Sequence, residues 1–254
     1  MRRLVIGISG GMDVGKSTIA LNLGVFLASQ GHAALLIDLS TNLHRAHTNS
    51  HSSMVPDLTN VLSHQNTLDE LIMTGPLGLG LLQVFTCSSQ YHGRSNGNVD
   101  NFLRAIRQQA NYDIIILDLA AGISGHAPSL LQACDLHLVI VRNDYSSIVD
   151  AYSVIKVLGH ELDLAKWLWV LPNRVASPRE GKIAHCLLND TSRKFLSMQV
   201  NYLSSTREDR GVKLVEKASV PMICSSPDSR FSRDIRLLSN RILNIPRPSI
   251  SVGG

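Results

Sequence analysis

Short apolar runs alternate along the chain with segments of helical periodicity. Seven runs rich in Val, Ile and Leu are apolar on both faces and predict strands, at residues 3–8, 33–38, 79–86, 113–118, 136–141, 168–172 and 198–203. Strands of this kind are typical of a parallel sheet that is covered on both sides. The pattern therefore predicts an α/β fold, with a mostly parallel sheet of about seven to eight strands and helices on both faces.

Two of the intervening segments show how helices would cover this sheet. Segment 16–30 is apolar almost all round and stops at Gly31, which predicts a deeply buried helix with a left-handed glycine at its end. Segment 146–162 repeats apolar residues at helical spacing. Its apolar positions are Ile148, Tyr152, Ile155 and Leu162. Both patterns indicate helices packed on the sheet.

The last predicted helix, about 229–244, is amphipathic. Four arginines, Arg230, Arg233, Arg236 and Arg241, lie opposite Phe231, Ile235, Leu238 and Ile242. Such a face either docks onto the core or lies on a membrane surface, and docking is the commoner outcome. A membrane surface is therefore a possible partner without support of its own, and no apolar stretch approaches the roughly 20 residues of a spanning helix.

The pattern predicts one domain over residues 1–245 with a flexible tail at 246–254. Two polar stretches, 44–66 and 88–98, are interpreted as loops or exposed short helices inserted in that domain. His44, His47 and His51 would share one helical face in the first stretch, but no nearby carboxylate completes a metal site. We expect a solvated surface there.

Composition narrows the classes of function. The chain is 44% hydrophobic and 17% charged, which supports a packed core, and its formal net charge is only +4. Because that charge is small and aromatic residues make up 5%, no direct nucleic-acid partner is expected. The four cysteines, Cys87, Cys134, Cys186 and Cys224, contain no Cys-x-x-Cys pair. A disulfide framework is therefore not expected, and a reducing cytoplasm is the default.

A phosphate-binding motif follows the first strand directly. The consecutive residues Gly10, Gly11, Met12, Asp13, Val14, Gly15, Lys16 and Ser17 match G-x-x-x-x-G-K-[ST], and Thr18 comes next. In this context, with a strand before and a helix after, loop N–H groups and the positive end of the helix surround an anion. Lys16 can then reach the β- and γ-phosphates, and the Ser17 hydroxyl can hold Mg²⁺. A nucleotide site explains the motif better than chance does.

Two more strands end in a carboxylate, at Asp38 and Asp118. The carboxyl edge of an α/β sheet is where such folds bind ligands, so either aspartate could hold a metal-bound water. Asp118 leads into a turn that reaches Gly122, whose backbone could approach a γ-phosphate. A cap or turn role is the alternative for each aspartate. Together with the phosphate motif, Lys16, Asp38 and Asp118 are the predicted catalytic residues.

In this order, these residues resemble the MinD/ParA family of P-loop ATPases, whose phosphate loop is a deviant form. Other stretches are similar to the FlhG (FleN) branch of that family, the flagellar-number regulators. Residues 138–141 and 146–156 resemble a strand and the following helix of the family as a whole. The stretches that resemble the FlhG (FleN) branch are 67–71, 74–76, 173–175, 177–181 and 207–242. The resemblance extends from residue 3 to about 244, and the order of the motifs is more specific than any one outside the loop.

The resemblance implies a cytoplasmic switch protein, with peripheral placement at the inner face of the membrane left open. It implies binding of ATP or ADP with Mg²⁺ and a homodimer formed face to face around two nucleotides. Flagellar regulatory or switch proteins would be its partners. By position, Asn173 would contact adenine, Lys16 and Ser17 would serve phosphate and Mg²⁺, and Asp118 with Gly122 would form the γ-phosphate-sensing turn, with Asp118 at the metal.

The chain departs from the family at two places. The loop lysine that reaches the partner's phosphates is Gly11 here, followed by Met12 and Asp13 in place of glycines. The second aspartate of the D-x-D switch is Ser40, whose hydroxyl is no carboxylate base. The chain also starts directly at the first strand, so the activating segment of the flagellar branch is not expected.

Three functions stay open on these grounds. The first is a nucleotide-switched ATPase. The second is a degenerate relative that does not hydrolyse ATP and acts as a protein-binding regulatory module. A small-molecule ligase or kinase on the same fold is the third, and no substrate motif supports it.

Overall fold

A computed structural model describes residues 3–40, 68–84, 102, 104–106, 108, 111–122, 127–161, 167–217 and 220–246. The two polar stretches, the three histidines in the first of them, Cys87, Leu162 and the tail from residue 247 lie outside these residues.

Nine described strands form a mostly parallel sheet. They are β1 Leu4–Gly10, β2 Ala34–Asp38, β3 Met73–Thr74, β4 Gly80–Gln83, β5 Ile114–Asp118, β6 Leu136–Val141, β7 Leu168–Val175, β8 Asn201–Tyr202 and β9 Thr206–Arg207. Their order is β3-β4-β2-β5-β1-β6-β7-β8, with β9 beside β7, and only the β3–β4 pair is antiparallel among them. The predicted α/β fold is confirmed. The short strands β3 and β9 were not predicted, because two residues carry no recognisable period.

Helices cover both faces of the sheet. They are α1 Lys16–Ser29, α2 Leu68–Leu71, α3 Ala127–Gln132, α4 Tyr145–Ile155, α5 Pro178–Leu196, α6 Arg210–Lys217, α7 Met222–Ser225 and α8 Arg230–Leu243. A π-helical turn, Lys156–Glu161, extends α4 through the predicted 146–162 segment as far as the structure describes it. Gly31 follows α1 with a φ of 85°, the left-handed cap that the sequence predicts.

Helix α1 lies between the sheet and α8, which explains its apolar surface. Strand residues such as Ile6 and Ile8 pack against one side of α1, and the apolar face of α8 packs against the same cluster. That face consists of Phe231, Ile235, Leu238 and Ile242, and all four are at most 3% exposed. The amphipathic face of the last helix is therefore buried against the core. In the described part of the chain, no helix has both the length and the hydropathy needed to cross a bilayer.

One buried histidine lies in the middle of the sheet, in strand β6. His137 in β6 is fully buried, and neither ring nitrogen has a hydrogen-bond partner in the described structure. Burial lowers the pKa of His137 to about 4, from an ordinary 6.5. In the unfolded chain this ring would take up a proton near pH 6.5, and in the folded chain it does not.

This difference predicts an acid sensitivity. Because the unfolded state binds the extra proton between pH 6.5 and about 4, the stability present above pH 6.5 is lost as the pH falls through that range. His137→Leu lacks the titrating ring, so over this pH range its free energy of unfolding should fall by about 2 to 3 kcal/mol less than that of the wild type. Urea unfolding at pH 7.5, 6 and 5 measures it. Parallel pH slopes for the wild type and the variant would contradict the assignment.

Candidate functional site

The two predicted strand-end carboxylates lie side by side. Parallel pairing places Asp38 of β2 in register with Asp118 of β5, and Asp118 in register with Ile8 of β1. Side chains in register on neighbouring strands lie on the same face of the sheet. Ile8 belongs to the cluster packed on α1, so both carboxylates lie on the face from which α1 begins.

The loop between β1 and α1 needs glycine at two positions. Gly10 has a φ of 144°, and a Cβ there would collide with the carbonyl oxygen of Ile140. Gly15 has a φ of 90°, and a Cβ there would collide with the Asn173 side-chain nitrogen. Gly15 is also the N-cap of α1 and offers no side chain to the first-turn N–H groups. These groups can therefore serve an anion.

A side chain at Gly11 would collide with helix α4. A Cβ on Gly11 would lie 2.5 Å from Asp150 Oδ2 and 2.9 Å from Asp150 Cβ, so the α4 side chain occupies the space that a lysine would need. Met12 is 74% exposed beside it. Asp13 takes the left-handed conformation with a φ of 54°, whereas Met12 is not among the residues with positive φ. Aspartate tolerates this region better than most residues with a side chain.

Lys16 is buried at the start of α1. Its Nζ donates to the Gly11 carbonyl oxygen at 2.6 Å. Burial lowers the pKa of Lys16 from its ordinary value, and the carboxyls of Asp118, Asp13 and Asp150 oppose that shift. A buried ammonium surrounded by carboxylates and held by one carbonyl is placed to exchange that carbonyl for a phosphate oxygen.

Ser40 links the two strand-end carboxylates. Its Oγ donates to Asp38 Oδ1 at 2.7 Å, and lies 3.3 Å from Asp118 Oδ2 and 3.4 Å from Ser17 Oγ. The backbone N–H of Ser40 also donates to Asp38 Oδ1, and Gln83 Nε2 donates to Asp38 Oδ2. We call Ser17, Asp38, Ser40 and Asp118 the carboxylate cluster.

Burial, and then the neighbouring Asp38 carboxylate, raise the pKa of Asp118 to about 7. The hydroxyl of Ser17, the charge of Lys16 and the hydroxyl of Ser40 oppose the shift. Asp118 Oδ1 is buried and has no hydrogen-bond partner in the described structure. A buried carboxylate oxygen without a hydrogen-bond partner is stabilised by a bound proton or by a cation next to it.

The carboxylate cluster fits Mg²⁺. Its donors are carboxylate and hydroxyl oxygens, the ligands that Mg²⁺ takes, and one carboxylate oxygen lacks a partner. Ser17 and Asp118 are the residues that would hold the ion. Among the described residues, no three or more His, Cys, Asp and Glu side chains are grouped as metal ligands. A metal ion here would therefore also need the Ser17 hydroxyl and oxygen atoms of a bound nucleotide.

A hydrogen bond joins the turn after Asp118 to the phosphate loop. Gly122 has a φ of 83°, and its N–H donates to the Gly10 carbonyl oxygen at 3.1 Å. A γ-phosphate contact through this N–H would have to replace that bond. The sensing role of Gly122 stays a prediction.

Asn173 holds the phosphate loop from the side. Its Nδ2 donates to the Val14 carbonyl oxygen at 2.7 Å, and its Oδ1 accepts from the Arg174 N–H and the Thr206 hydroxyl. The side chain is 3% exposed. One amide hydrogen is left over from these bonds, so the predicted contact with adenine has a single donor available and stays a prediction.

A cavity of about 210 Å³ opens beside Asn173 and the first turn of α1. Its lining includes Thr18, Arg174, Arg207, Asp209, Lys213 and Phe231. Arg174 has a φ of 56° inside β7, where the register with β9 shifts. The sequence predicted a site role only for Thr18 and Asn173 among the lining residues, because Arg174 lies at a strand irregularity and the others come from a distant segment.

The structure thus brings together the phosphate loop, the carboxylate cluster and the cavity at one edge of the sheet. Residues 4–213 match the CobQ/CobB/MinD/ParA nucleotide binding domain. The chain belongs to this family. The resemblance to MinD/ParA proteins and to their FlhG-like branch is confirmed.

Relatives of this MinD/ParA chain include an antiactivator and a flagellum site-determining protein. It is 25% identical over 249 residues to the antiactivator FleN of Pseudomonas aeruginosa, covering 96% of this chain and 88% of that protein. It is 24% identical over 238 residues to the flagellum site-determining protein YlxH of Helicobacter pylori, covering 93% and 80%.

Solved structures agree with the fold of this MinD/ParA chain. The MinD cell division protein of Aquifex aeolicus superposes with a TM-score of 0.75 at 23% identity, covering 96% of this chain and 98% of that one. The MinD of Pyrococcus horikoshii, solved with Mg-ADP, superposes with a TM-score of 0.71 at 21% identity, covering 95% and 96%.

Proposed function

We propose that this protein is an ATP-binding switch that regulates flagellar number or assembly. The observation that carries the proposal is the position of Lys16 and Ser17 against Asp38 and Asp118, on one face of the sheet. A phosphate loop and paired carboxylates in this arrangement suit a nucleotide with its metal ion. The name of the YlxH relative, a flagellum site-determining protein, and the similarity to the antiactivator FleN support the flagellar context.

In this proposal each residue has a stated task. Loop N–H groups and the first turn of α1 bind the phosphates, and Lys16 leaves the Gly11 carbonyl to pair with a phosphate oxygen. Ser17 and Asp118 hold Mg²⁺, which when bound neutralises phosphate charge. Asn173 fixes the loop from β7, and the neighbouring cavity receives the base.

We propose that the nucleotide form dimerises through the face that carries the phosphate loop. Met12, Tyr145 and Val149 are exposed. Tyr145 and Val149 lie on α4, and Asp150 of that helix lies where a side chain on Gly11, the residue before Met12, would begin. An apolar contact would thus replace the charge that a lysine supplies in relatives. Flagellar regulatory or switch proteins are the proposed partners, in the cytoplasm. Burial of the apolar face of α8 argues against membrane attachment through that helix.

A second candidate is a non-hydrolysing regulatory module on the same scaffold. The observation that favours it is Ser40, which stands where relatives carry a switch aspartate and is bonded to Asp38 and close to Asp118. A serine hydroxyl supplies no carboxylate to orient the attacking water, which slows hydrolysis without abolishing binding.

Calorimetry tests the proposal and separates the two candidates. ATP and ADP are titrated into the protein with Mg²⁺ and with EDTA, and phosphate release is then measured at saturating ATP. The switch predicts saturable, Mg²⁺-dependent binding with slow phosphate release. Absence of binding at millimolar ATP would contradict both nucleotide-based readings. Binding with no release would select the non-hydrolysing module.

A further inference from the structure

The Ser40 side chain is buried and contacts several groups of the carboxylate cluster. The side chain is 4% exposed, and its hydroxyl contacts one oxygen of Asp38 and lies near one oxygen of Asp118. The same hydroxyl lies 3.4 Å from Ser17 Oγ. The Ser40 hydroxyl thus lies within hydrogen-bond range of both carboxylates and of the phosphate-loop serine.

The arrangement leaves one buried oxygen of Asp118 without a hydrogen-bond partner among the described residues. Ser40 lies beside Asp118 Oδ2, whereas Asp118 Oδ1 is buried and has no hydrogen-bond partner among the described residues. Asp38 is held from two sides, by the hydroxyl and N–H of Ser40 and by Gln83 Nε2. Two adjacent carboxylates repel each other, and the Ser40 hydroxyl between them limits how each can rotate.

We propose that Ser40 is a positioning residue of the metal site, which orients Asp118 and Asp38 for Mg²⁺. This inference rests on the proposed nucleotide function and adds a role for Ser40. An aspartate at this position would place a third carboxylate beside the buried pair. The neutral hydroxyl instead supplies a donor without adding negative charge. Ser40 therefore supports metal binding where an aspartate would support water activation.

The test measures how strongly Mg²⁺ tightens ADP binding. ADP affinity is determined by calorimetry with Mg²⁺ and with EDTA, and the ratio of the two dissociation constants is the metal coupling. Ser40→Ala should lower this ratio about tenfold, because donors that orient metal ligands contribute at least that much to metal affinity. ADP affinity in EDTA should stay within about twofold, since the hydroxyl acts on the metal ligands.

Three further variants sharpen the result. Ser40→Cys keeps the size with a weak donor and should behave like Ser40→Ala, which covers the case in which the alanine variant does not fold. Ser40→Thr keeps the hydroxyl and should restore most of the coupling. Ser239→Ala is the matched control, because Ser239 is fully buried and its hydroxyl has no partner in the described structure. Its coupling should equal that of the wild type.

The outcomes are distinct. If Ser40→Ala and Ser40→Cys both bind ADP with the metal coupling of the wild type, the positioning role is wrong and the proposed function still stands. A wild type that binds no ADP would overturn the proposed function and the inference with it. An equal loss of affinity with Mg²⁺ and with EDTA would show a merely structural role and would also overturn the inference.

Discussion

Replacing Lys16 by alanine is expected to lower ATP affinity at least about 100-fold, or about 3 kcal/mol. Lys16 is buried in the phosphate loop, and the carboxyls of Asp118, Asp13 and Asp150 act on its charge. Without the ammonium, a polyphosphate would meet these carboxylates with no compensating side chain in the loop. Calorimetry with Mg²⁺ and ATP measures the loss.

The matched control for this variant is Lys182→Ala. Lys182 is an exposed lysine of α5, and its replacement should leave ATP affinity within twofold of the wild type. Both variants should keep the wild-type far-ultraviolet circular dichroism. Undiminished ATP binding by folded Lys16→Ala protein would place the nucleotide elsewhere, or show that the loop does not bind it.

Replacing Gly15 by alanine should damage both folding and binding. The residue has a φ of 90°, and a Cβ would collide with the Asn173 side chain, which hydrogen bonds hold to Val14, Arg174 and Thr206. Left-handed strain and the collision together should cost about 3 to 4 kcal/mol of unfolding free energy. ATP affinity should fall more than about tenfold, because Asn173 positions the loop carbonyl of Val14.

Gly31→Ala separates strain from collision. Gly31 has a φ of 85°, and nothing lies within 4 Å of the position of its Cβ. This variant should lose about 1 to 2 kcal/mol, the cost of the left-handed conformation alone, and should bind ATP like the wild type. Urea unfolding of both variants gives the comparison. Equal losses would show that Asn173 moves aside at little cost.

The sheet and the phosphate loop were predictable because they rest on local and periodic signals. Strands such as β1 and β5 are apolar on both faces, and the loop has its own spacing between a strand and a helix. The docking of the last helix followed from its apolar face. The aspartates at the ends of β2 and β5 were identified from position alone, and parallel register then brought them together.

The rest of the site depends on contacts between distant segments. Asp150 fills the space over Gly11 from 139 residues away in sequence, and the spacing of the loop residues does not contain that contact. The bond from Thr206 to Asn173 arises where β9 meets an irregular stretch of β7. Ser40 was interpreted only as a missing carboxylate, because its bond to Asp38 and its proximity to Asp118 follow from the packing of β2 against β5.

The most direct test of a nucleotide-binding phosphate loop is a crystal structure with a non-hydrolysable ATP analogue and Mg²⁺. The account predicts phosphate density against the N–H groups of the loop, with Lys16 Nζ moved from the Gly11 carbonyl to a phosphate oxygen. The metal should lie between Ser17 and Asp118. A loop without density at saturating analogue, with Lys16 still bonded to Gly11, would contradict it.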